Sequence, residues 1–339
     1  MRRRTLQMLY DVLYALAARE GREAALFGAS APFAREAFSR SMACDAFPEV
    51  WFEIPLAGDP WFDLHLLASK ENLGPDMVFH AADTGGNPSV FEWFVGQEGV
   101  RQLALSWDTG KGNLEAPAVQ VLVAGSDPEV SRSFLRAIGR DDLQDAYSAF
   151  VERIPDAWFA CYTGAFPNRA GDFVRVECIV DAQLQRAYAE DPALLEAHLR
   201  QAGIRRLGET AVPRCRALAQ SPFRVEFQFD IMPDGQLSPV FGMSARFACP
   251  PGKGNWPPFD PNGAAGDLMG LVESWGLADG RWRLLADTVF AKRASRNGAS
   301  CVLFNYPAFV KLRWRDGEPL DAKAYLLAGL DDESAGGEM

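Results

Sequence analysis

The segment VKLRWRDGEPLDAKAYLL, residues 310–327, has the pattern of a β-hairpin with two different faces. Successive side chains of a strand point to opposite faces. One face of its first strand is apolar, with Val310, Leu312 and Trp314. The other face is cationic, with Lys311, Arg313 and Arg315, and the return strand adds Lys323 and Tyr325 on one face. The hairpin therefore gathers cations on a single side.

This cationic face stands out because the chain as a whole is acidic. It has 339 residues, with 45 acidic against 34 basic side chains and a formal net charge of -11. Such an excess of negative charge argues against nucleic acid or an anionic membrane as the main partner. No stretch approaches the ~20 apolar residues needed to span a bilayer. A basic cluster in this chain must therefore have a local purpose.

The cysteines and the start of the chain indicate a soluble cytoplasmic protein. The six cysteines lie far apart, without a C-x-x-C pair or metal-ligand spacing, which predicts reduced thiols and no metal site. Residues 1–20 place three arginines before an apolar run, as a signal peptide does. Asp11 interrupts that run and its apolar residues recur at helical spacing, so we interpret it as an amphipathic helix.

Four further strand pairs precede the hairpin, and each follows helical sequence. The pairs are 51–56 with 61–68, 101–107 with 117–124, 157–163 with 173–180, and 223–231 with 237–247. Helical patterns occupy 31–42, 89–99, 128–153, 182–202, 208–219, 268–276 and 281–294. Short turns within each pair favour antiparallel ladders. The chain thus repeats an α-β-β-α unit five times.

The two faces of these strands predict how the sheet is covered. In residues 223–230, apolar side chains alternate with Arg224, Glu226, Gln228 and Asp230. The apolar face needs helices over it, so the polar face meets solvent in an open sheet or lines the lumen of a closed barrel. Ten antiparallel strands must curl, and closure removes their edges.

We therefore expect an α+β fold in which a closed antiparallel ten-stranded barrel is ringed by helices. Residues 1–330 form a single domain in this interpretation, and residues 331–339 form a disordered tail. The Pro/Gly-rich segment 249–266 is expected to be a long loop over one barrel end. The open sheet remains the alternative.

Three features carry a resemblance to a known family: Lys323-Ala324-Tyr325 as a K-x-Y motif, Lys311-Leu312-Arg313 as paired basic positions, and Glu53 on the first strand. With the five α-β-β-α units, the chain resembles the ABBA-type aromatic prenyltransferases. These include indole prenyltransferases of the dimethylallyltryptophan synthase type and the peptide prenyltransferases of cyanobactin pathways. The resemblance implies an active site in the lumen. It also implies transfer of an allylic prenyl group from a prenyl diphosphate to an aromatic small molecule or peptide side chain.

The resemblance also implies roles for individual residues. The residues expected to bind the diphosphate are Arg175, Arg224, Lys311, Arg313 and Lys323. The residues expected to act in catalysis are Glu53, His65 and Tyr325. His65 enters on chemical grounds alone, because a carboxylate or a histidine can take the acceptor's proton. Glu53 would hold the acceptor, with Glu49 as its competitor for that role. Tyr325, Trp51 and Trp107 would stabilise the carbocation by cation–π contact. No cofactor is required, although Mg²⁺ is possible.

The register of the hairpin bears on this chemistry. If Arg315 faces Asp321, then Arg313 faces Lys323 and Lys311 faces Tyr325. Like charges directly opposed destabilise a ladder, so the Arg313–Lys323 pair would need an anion between them, and a diphosphate would serve.

Each feature also has a simpler interpretation. Alternating cations occur on solvent-facing strands, where they protect edges from aggregation. Glu53 is compatible with a solvated or salt-bridged carboxylate, and His65 with a structural histidine. Two other functions therefore remain open. One is a non-catalytic barrel that binds an anionic or amphipathic small molecule, and the other is an open α+β interaction protein.

Overall fold

Ten antiparallel strands close into a barrel in the computed structural model of the chain. The structure describes residues 25–26, 28, 49–70, 89–108, 117–123, 127–166, 172–247, 259–296 and 299–332. Strands β1 to β8 are neighbours in chain order, β10 follows β8, and β11 pairs with both β10 and β1. The predicted closed ten-stranded barrel is thus confirmed, and the open-sheet alternative is wrong.

The strands of this ring and one additional strand lie close to the predicted segments. They are β1 Glu49–Pro55, β2 Asp63–Ser69, β3 Val100–Trp107, β4 Ala118–Val123, β5 Trp158–Ala165, β6 Val174–Val180, β7 Arg224–Ile231, β8 Leu237–Arg246, β9 Phe290–Arg296, β10 Ala299–Arg315 and β11 Glu318–Asp332.

Helices lie between the strand pairs. They are α1 Ser89–Gly96, α2 Pro128–Ala137, α3 Gln144–Arg153, α4 Ala182–Glu190, α5 Pro192–Ala202, α6 Ala211–Gln220 and α7 Ala264–Ser274, with 3₁₀ helices at Asp141–Leu143 and Gly280–Thr288. Aspartates cap several of them: the Asp127, Asp181 and Asp191 side chains accept backbone N–H groups at the first turns of α2, α4 and α5. No helix in the described ranges is long and apolar enough to cross a membrane.

The apolar faces of the strands point outward and form the core with the helices. On β7, Val225, Phe227, Phe229 and Ile231 are fully buried. The Phe227 and Phe229 rings stack on Trp158 of β5, at centroid distances of 4.7 and 5.6 Å. Aromatic side chains of this size contribute much of the buried apolar area of a core. The alternate residues of each strand therefore face the lumen.

Strand β9 replaces part of a predicted helix. The helical pattern at 281–294 forms a 3₁₀ helix only as far as Thr288, and Phe290–Arg296 then pairs with the first half of β10. Strand β10 has 17 residues, and it pairs with β8 only from Phe309 onward. The first half of β10 can therefore pair with β9 on the side where β8 is absent. Pairing along this edge overrides the helical pattern, because tertiary context outweighs local propensity.

The hairpin turn corrects the predicted register. Asp316 and Gly317 have positive φ angles of 52° and 84°, which is a two-residue turn of the type I′ kind with Arg315 opposite Glu318. A bulge follows, so Arg313 faces Asp321, Lys311 faces Lys323 and Phe309 faces Tyr325. The predicted pairs Arg315–Asp321, Arg313–Lys323 and Lys311–Tyr325 are therefore wrong. The error amounts to two residues, so the assignment of faces is unchanged.

Several predicted segments lie wholly or partly outside the described residues. These are the helices at 1–20 and 31–42, positions 249–258 of the Pro/Gly-rich loop, and residues 333–339 of the tail. The described end of that loop leads into α7 at Ala264, and β11 ends at Asp332.

The tip of the β10–β11 hairpin packs backbone to backbone on the loop between α5 and α6. A Cβ atom placed on Gly317 would lie 2.2 Å from the backbone nitrogen of Gly208. Gly235 has a similar φ of +77°, but a Cβ there would have no atom within 4 Å.

We therefore expect Gly317→Ala to destabilise the fold far more than Gly235→Ala. The control carries only the strain of a left-handed residue, roughly 1–2 kcal/mol. Gly317→Ala adds a backbone clash of about 1–3 kcal/mol. Urea unfolding of both variants measures the difference, and equal losses would contradict the packing of the hairpin tip.

Candidate active site

A cavity of about 250 Å³ lies within the barrel. Among the described residues, five cations and three carboxylates line it: Arg101, Arg175, Arg224, Arg246 and Lys311, with Glu53, Glu177 and Glu226. Cations thus outnumber carboxylates on this surface, although the whole chain has a net charge of -11. The lumen is where the local basic cluster lies.

Two arginines share one carboxylate at one side of the cavity. Arg224 and Arg246 are directly opposed on β7 and β8. Glu226 accepts from Arg224 at 2.7 Å and from two nitrogens of Arg246, each at 3.1 Å. Burial alone raises the pKa of Glu226, but the charges of Arg246 and Arg224 outweigh it and hold that pKa below its ordinary value. This cluster of three side chains therefore keeps one positive charge in excess.

The second pair of opposed cations lies on the hairpin. Lys311 donates to Glu177 Oε1 at 2.7 Å and to Gln228 Oε1 at 2.6 Å. Lys323, directly opposite, donates instead to Glu53 Oε1. Both lysines are more than nine-tenths buried. The repulsion expected between opposed like charges is thus relieved by separate carboxylates on other strands.

Glu53 belongs to a chain of polar contacts across three further strands. Its Oε2 lies 3.2 Å from His65 Nε2, and His65 Nδ1 lies 2.6 Å from Ser106 Oγ. Gln120 donates to that same Ser106 oxygen at 2.9 Å. The Nε2–H of His65 donates to the Glu53 carboxylate, and His65 Nδ1 and Ser106 Oγ share the second hydrogen bond.

This arrangement keeps Glu53 ionised although it is buried. Burial raises its pKa, but the charge of Lys323 and the hydrogen bond and charge of His65 together hold the pKa well below its ordinary value. Tyr325 responds in the opposite direction: burial and then the Glu53 carboxylate raise its pKa well above the ordinary value. Tyr325 therefore stays a neutral phenol beside a charged carboxylate.

Three aromatic side chains form a wall of the cavity: Trp51, Phe309 and Tyr325. Phe309 stacks on Tyr325 with centroids 4.1 Å apart, and Trp51 lies 5.4 Å from Phe309. The guanidinium of Arg246 lies 5.1 Å from the Phe309 ring, and the Lys311 ammonium 4.9 Å from the Tyr325 ring. Cations already face these rings, as cation–π contact requires.

The remaining predicted cations are paired. Arg175 lines the cavity and forms a two-point pair with Asp230 at 2.7 and 2.9 Å. Arg313 is bound to Asp321, its cross-strand neighbour. Arg313 and Lys323 are not among the residues that line the cavity. Arg175, Arg224 and Lys311 are therefore the predicted diphosphate ligands that the lumen brings together.

The predicted catalytic residues also converge. Glu53, His65 and Tyr325 all line the cavity. The competing Glu49 accepts from Gln102 at 3.0 Å and does not line it. Trp107 was expected to face the lumen, but it lies in the outer core, because His65 and Ser106 set the inward face of β2 and β3. That expectation is wrong.

Several site residues were not predicted. Arg246, Glu177, Glu226, Ser106 and Gln120 all take part in the contacts above. A signal for Arg246 exists in the sequence, since it alternates with Phe241, Met243, Ala245 and Phe247, which are all buried. Ser106 and Gln120 carry no comparable signal, because their roles depend on contacts between strands.

No group of three or more His, Cys, Asp or Glu side chains within the described part of the chain is placed to hold a metal ion. The acidic residues Asp141 and Asp142 belong to a 3₁₀ helix, and Asp142 pairs with Arg140 at 2.8 Å.

Two solved structures resemble the fold over nearly the whole chain. The 5-dimethylallyltryptophan synthase from Streptomyces coelicolor has a TM-score of 0.51 and 13% identity, covering 98% of this chain and 97% of that one. Prenyltransferase PriB, in a ternary complex with L-tryptophan and dimethylallyl thiolodiphosphate, has a TM-score of 0.53 and 13% identity, covering 95% and 96%. No protein-family model and no curated protein matches the sequence. At this identity the matches show the fold, and they confirm the resemblance to the prenyltransferase barrel at the level of architecture.

The buried Glu226 cluster predicts a pH-dependent loss of stability in Glu226→Gln. At pH 7 we expect the variant to lose about 2 kcal/mol, because two partly exposed guanidinium groups lose their shared buried counter-ion and solvent screens part of the unpaired charge. The folded pKa of Glu226 lies below the unfolded value of about 4.5, so its stabilisation is complete above that pH and is lost as the pH falls through the folded pKa.

Urea unfolding of both proteins between pH 7 and pH 3 measures this difference. Glu129→Gln is the matched control, because Glu129 also binds two arginines, Arg132 and Arg136, but at an exposed position. Its loss should be much smaller. The difference in unfolding free energy between wild type and Glu226→Gln should shrink toward low pH. A difference that grows instead would contradict an ionised Glu226 as the counter-ion of the two arginines.

Proposed function

We propose that the protein transfers an allylic prenyl group from a prenyl diphosphate to an aromatic small molecule or peptide side chain. The observation that carries this proposal is the order of groups within one cavity. A cluster with excess positive charge lies at Arg224 and Arg246, an aromatic wall follows, and a charged carboxylate lies at Glu53. These are the three groups that the reaction needs.

In this proposal the diphosphate binds beside Arg224, Arg246 and Lys311. Glu226 neutralises only one of the two arginines, and guanidinium groups bind phosphoryl oxygens with two-point geometry. The prenyl chain then lies against Trp51, Phe309 and Tyr325. Arg175 lines the same cavity, and Lys323 acts indirectly because it holds Glu53. Arg313 pairs with Asp321 outside the cavity lining and has no role in this scheme.

In this proposal the acceptor binds beside Glu53, on the far side of the aromatic wall from the arginines. The allylic C–O bond breaks and the diphosphate leaves with the electron pair, while cations stabilise its developing charge. The acceptor's π electrons form the new bond to the allylic carbon, and its displaced proton passes to Glu53. His65 orients Glu53 in this scheme, because both ring nitrogens are engaged by Ser106 and Glu53.

This scheme assigns no step to a metal ion. The charge that Mg²⁺ would neutralise on a diphosphate is met here by guanidinium and ammonium groups. Mg²⁺ remains compatible with the scheme as an ion bound together with the substrate. The cytoplasmic location of the protein stays a prediction, and so does prenyl diphosphate as its partner.

A second candidate function is a barrel that binds an anionic or amphipathic small molecule without chemistry. The pairing of Lys311, Arg175 and Arg224 with carboxylates favours it, because paired cations bind an added anion less strongly. The small number of tyrosines also favours it, because tyrosines would shield the carbocation. Among the described residues, two tyrosines line the cavity, Tyr162 and Tyr325.

Incubation with prenyl diphosphates separates the two functions. We expect release of diphosphate and a product one prenyl group heavier when dimethylallyl or geranyl diphosphate is supplied with L-tryptophan or tyrosine-containing peptides. Mass spectrometry of the acceptor and a diphosphate assay detect the two products. EDTA should change the rate by less than about twofold, which corresponds to ~0.4 kcal/mol of activation free energy. Binding without turnover would favour the second function, and neither binding nor turnover would contradict both.

The aromatic wall predicts distinct effects for two substitutions of Tyr325. Tyr325→Leu should lower kcat by roughly 30-fold, since a desolvated cation–π contact is worth about 2 kcal/mol. Tyr325→Phe keeps the ring that stacks on Phe309 and should lower kcat by less than about threefold, or under ~0.7 kcal/mol. Single-turnover rates measure both variants, and equal losses would contradict a role for the ring.

A further inference from the structure

Two carboxylates of the cavity occupy the cations on which the proposed diphosphate site depends. Glu177, on β6, binds Lys311 at 2.7 Å. Glu226, on β7, binds both Arg224 and Arg246. Both carboxylates line the same cavity as their partners, and the Glu226 side chain is only 5% exposed. An anion that enters the lumen therefore meets two negative charges that are already in place.

The geometry at Lys311 limits what remains for a ligand. An ammonium group has three N–H donors, and Glu177 and Gln228 take two of them. The rings of Tyr325 and Phe309 lie 4.9 and 5.8 Å from the same nitrogen. A diphosphate oxygen can use the third N–H while Glu177 stays in place, but it then lies close to a like charge.

The arginine pair is limited in the same way. The two oxygens of Glu226 engage three guanidinium nitrogens, one of Arg224 and two of Arg246. Nε of Arg224 is buried without a hydrogen-bond partner. The arginines thus retain donors that Glu226 does not satisfy, yet its charge lies between them.

We propose that Glu177 and Glu226 are internal counter-ions that set the affinity and the selectivity of the lumen for anions. Each one competes with an incoming anion for the same cations, so only an anion with several charges and oxygens binds well. A diphosphate meets this requirement better than a carboxylate or a monophosphate, because it engages the lysine and both arginines together. This inference rests on the proposed diphosphate site.

Glu177→Gln tests the inference with little change of shape. The amide oxygen can still accept from Lys311, but the negative charge is gone. We expect inorganic diphosphate and dimethylallyl thiolodiphosphate to bind this variant at least about tenfold more tightly than wild type, which corresponds to ~1.4 kcal/mol. Isothermal titration calorimetry of the full chain measures both ligands, and thermal unfolding establishes that each variant is folded.

Asp321→Asn is the matched control. Asp321 forms a comparable pair with Arg313 in the same barrel, but neither residue lines the cavity. Removal of this charge should change the affinity by less than about twofold, or ~0.4 kcal/mol. An equal gain in Asp321→Asn would show a general charge effect and would overturn the specific role of Glu177. Glu226→Gln is the second variant, should Glu177→Gln not fold, and it should also bind more tightly.

The outcomes separate this inference from the proposed function. If wild type binds diphosphate and neither glutamine variant binds it more tightly, the counter-ion role is overturned and the prenyl-transfer proposal stands. Binding by the variants alone supports the counter-ion role and contradicts prenyl transfer by the natural chain. Absence of binding in every protein overturns both.

Discussion

Closure of the ten-stranded sheet is the constraint on which the rest of the structure depends. A closed barrel sends every second side chain into a confined lumen, where an unpaired charge is costly. The strands of this chain nevertheless place arginines, lysines and glutamates on that inward face. Each charged group must therefore find its partner across the lumen or on a neighbouring strand. Contacts such as Lys311–Glu177 and Lys323–Glu53 join strands that are far apart in the sequence.

This requirement explains how an acidic protein holds a cationic interior. The negative excess of the chain contributes little inside the barrel, where cations outnumber carboxylates among the described lining residues. Glu226 is the clearest case, because one buried carboxylate supports two arginines that face each other across the ladder. Internal pairs of this kind contribute little net stability, but the loss of one partner is costly. The pairs therefore fix the positions of the cations more than they strengthen the fold.

The alternation of side chains along the strands predicted which face of each strand would be polar, and closure turned those faces into a lumen. Alternation has a period of two, so a shift of the pairing register by two residues leaves the faces unchanged. The pattern therefore does not determine the register between strands. The offset in the hairpin depends on the turn at Asp316-Gly317 and on a bulge, so the predicted partners of Arg313 and Lys311 were wrong although their face was right. Trp107 faces the outer core because it follows the inward-facing Ser106 directly along β3, and successive side chains of a strand point to opposite faces. The contact of Ser106 with His65 depends on which strands are neighbours, which one sequence alone does not determine.

A crystal structure with dimethylallyl thiolodiphosphate bound tests the central claim most directly, because it locates the anion among the paired charges of the lumen. We expect diphosphate oxygens within about 3 Å of Arg224, Arg246 and Lys311, with the prenyl chain against Trp51, Phe309 and Tyr325. A diphosphate group bound outside the lumen, or a lumen in which these cations contact only their own carboxylates, would contradict it.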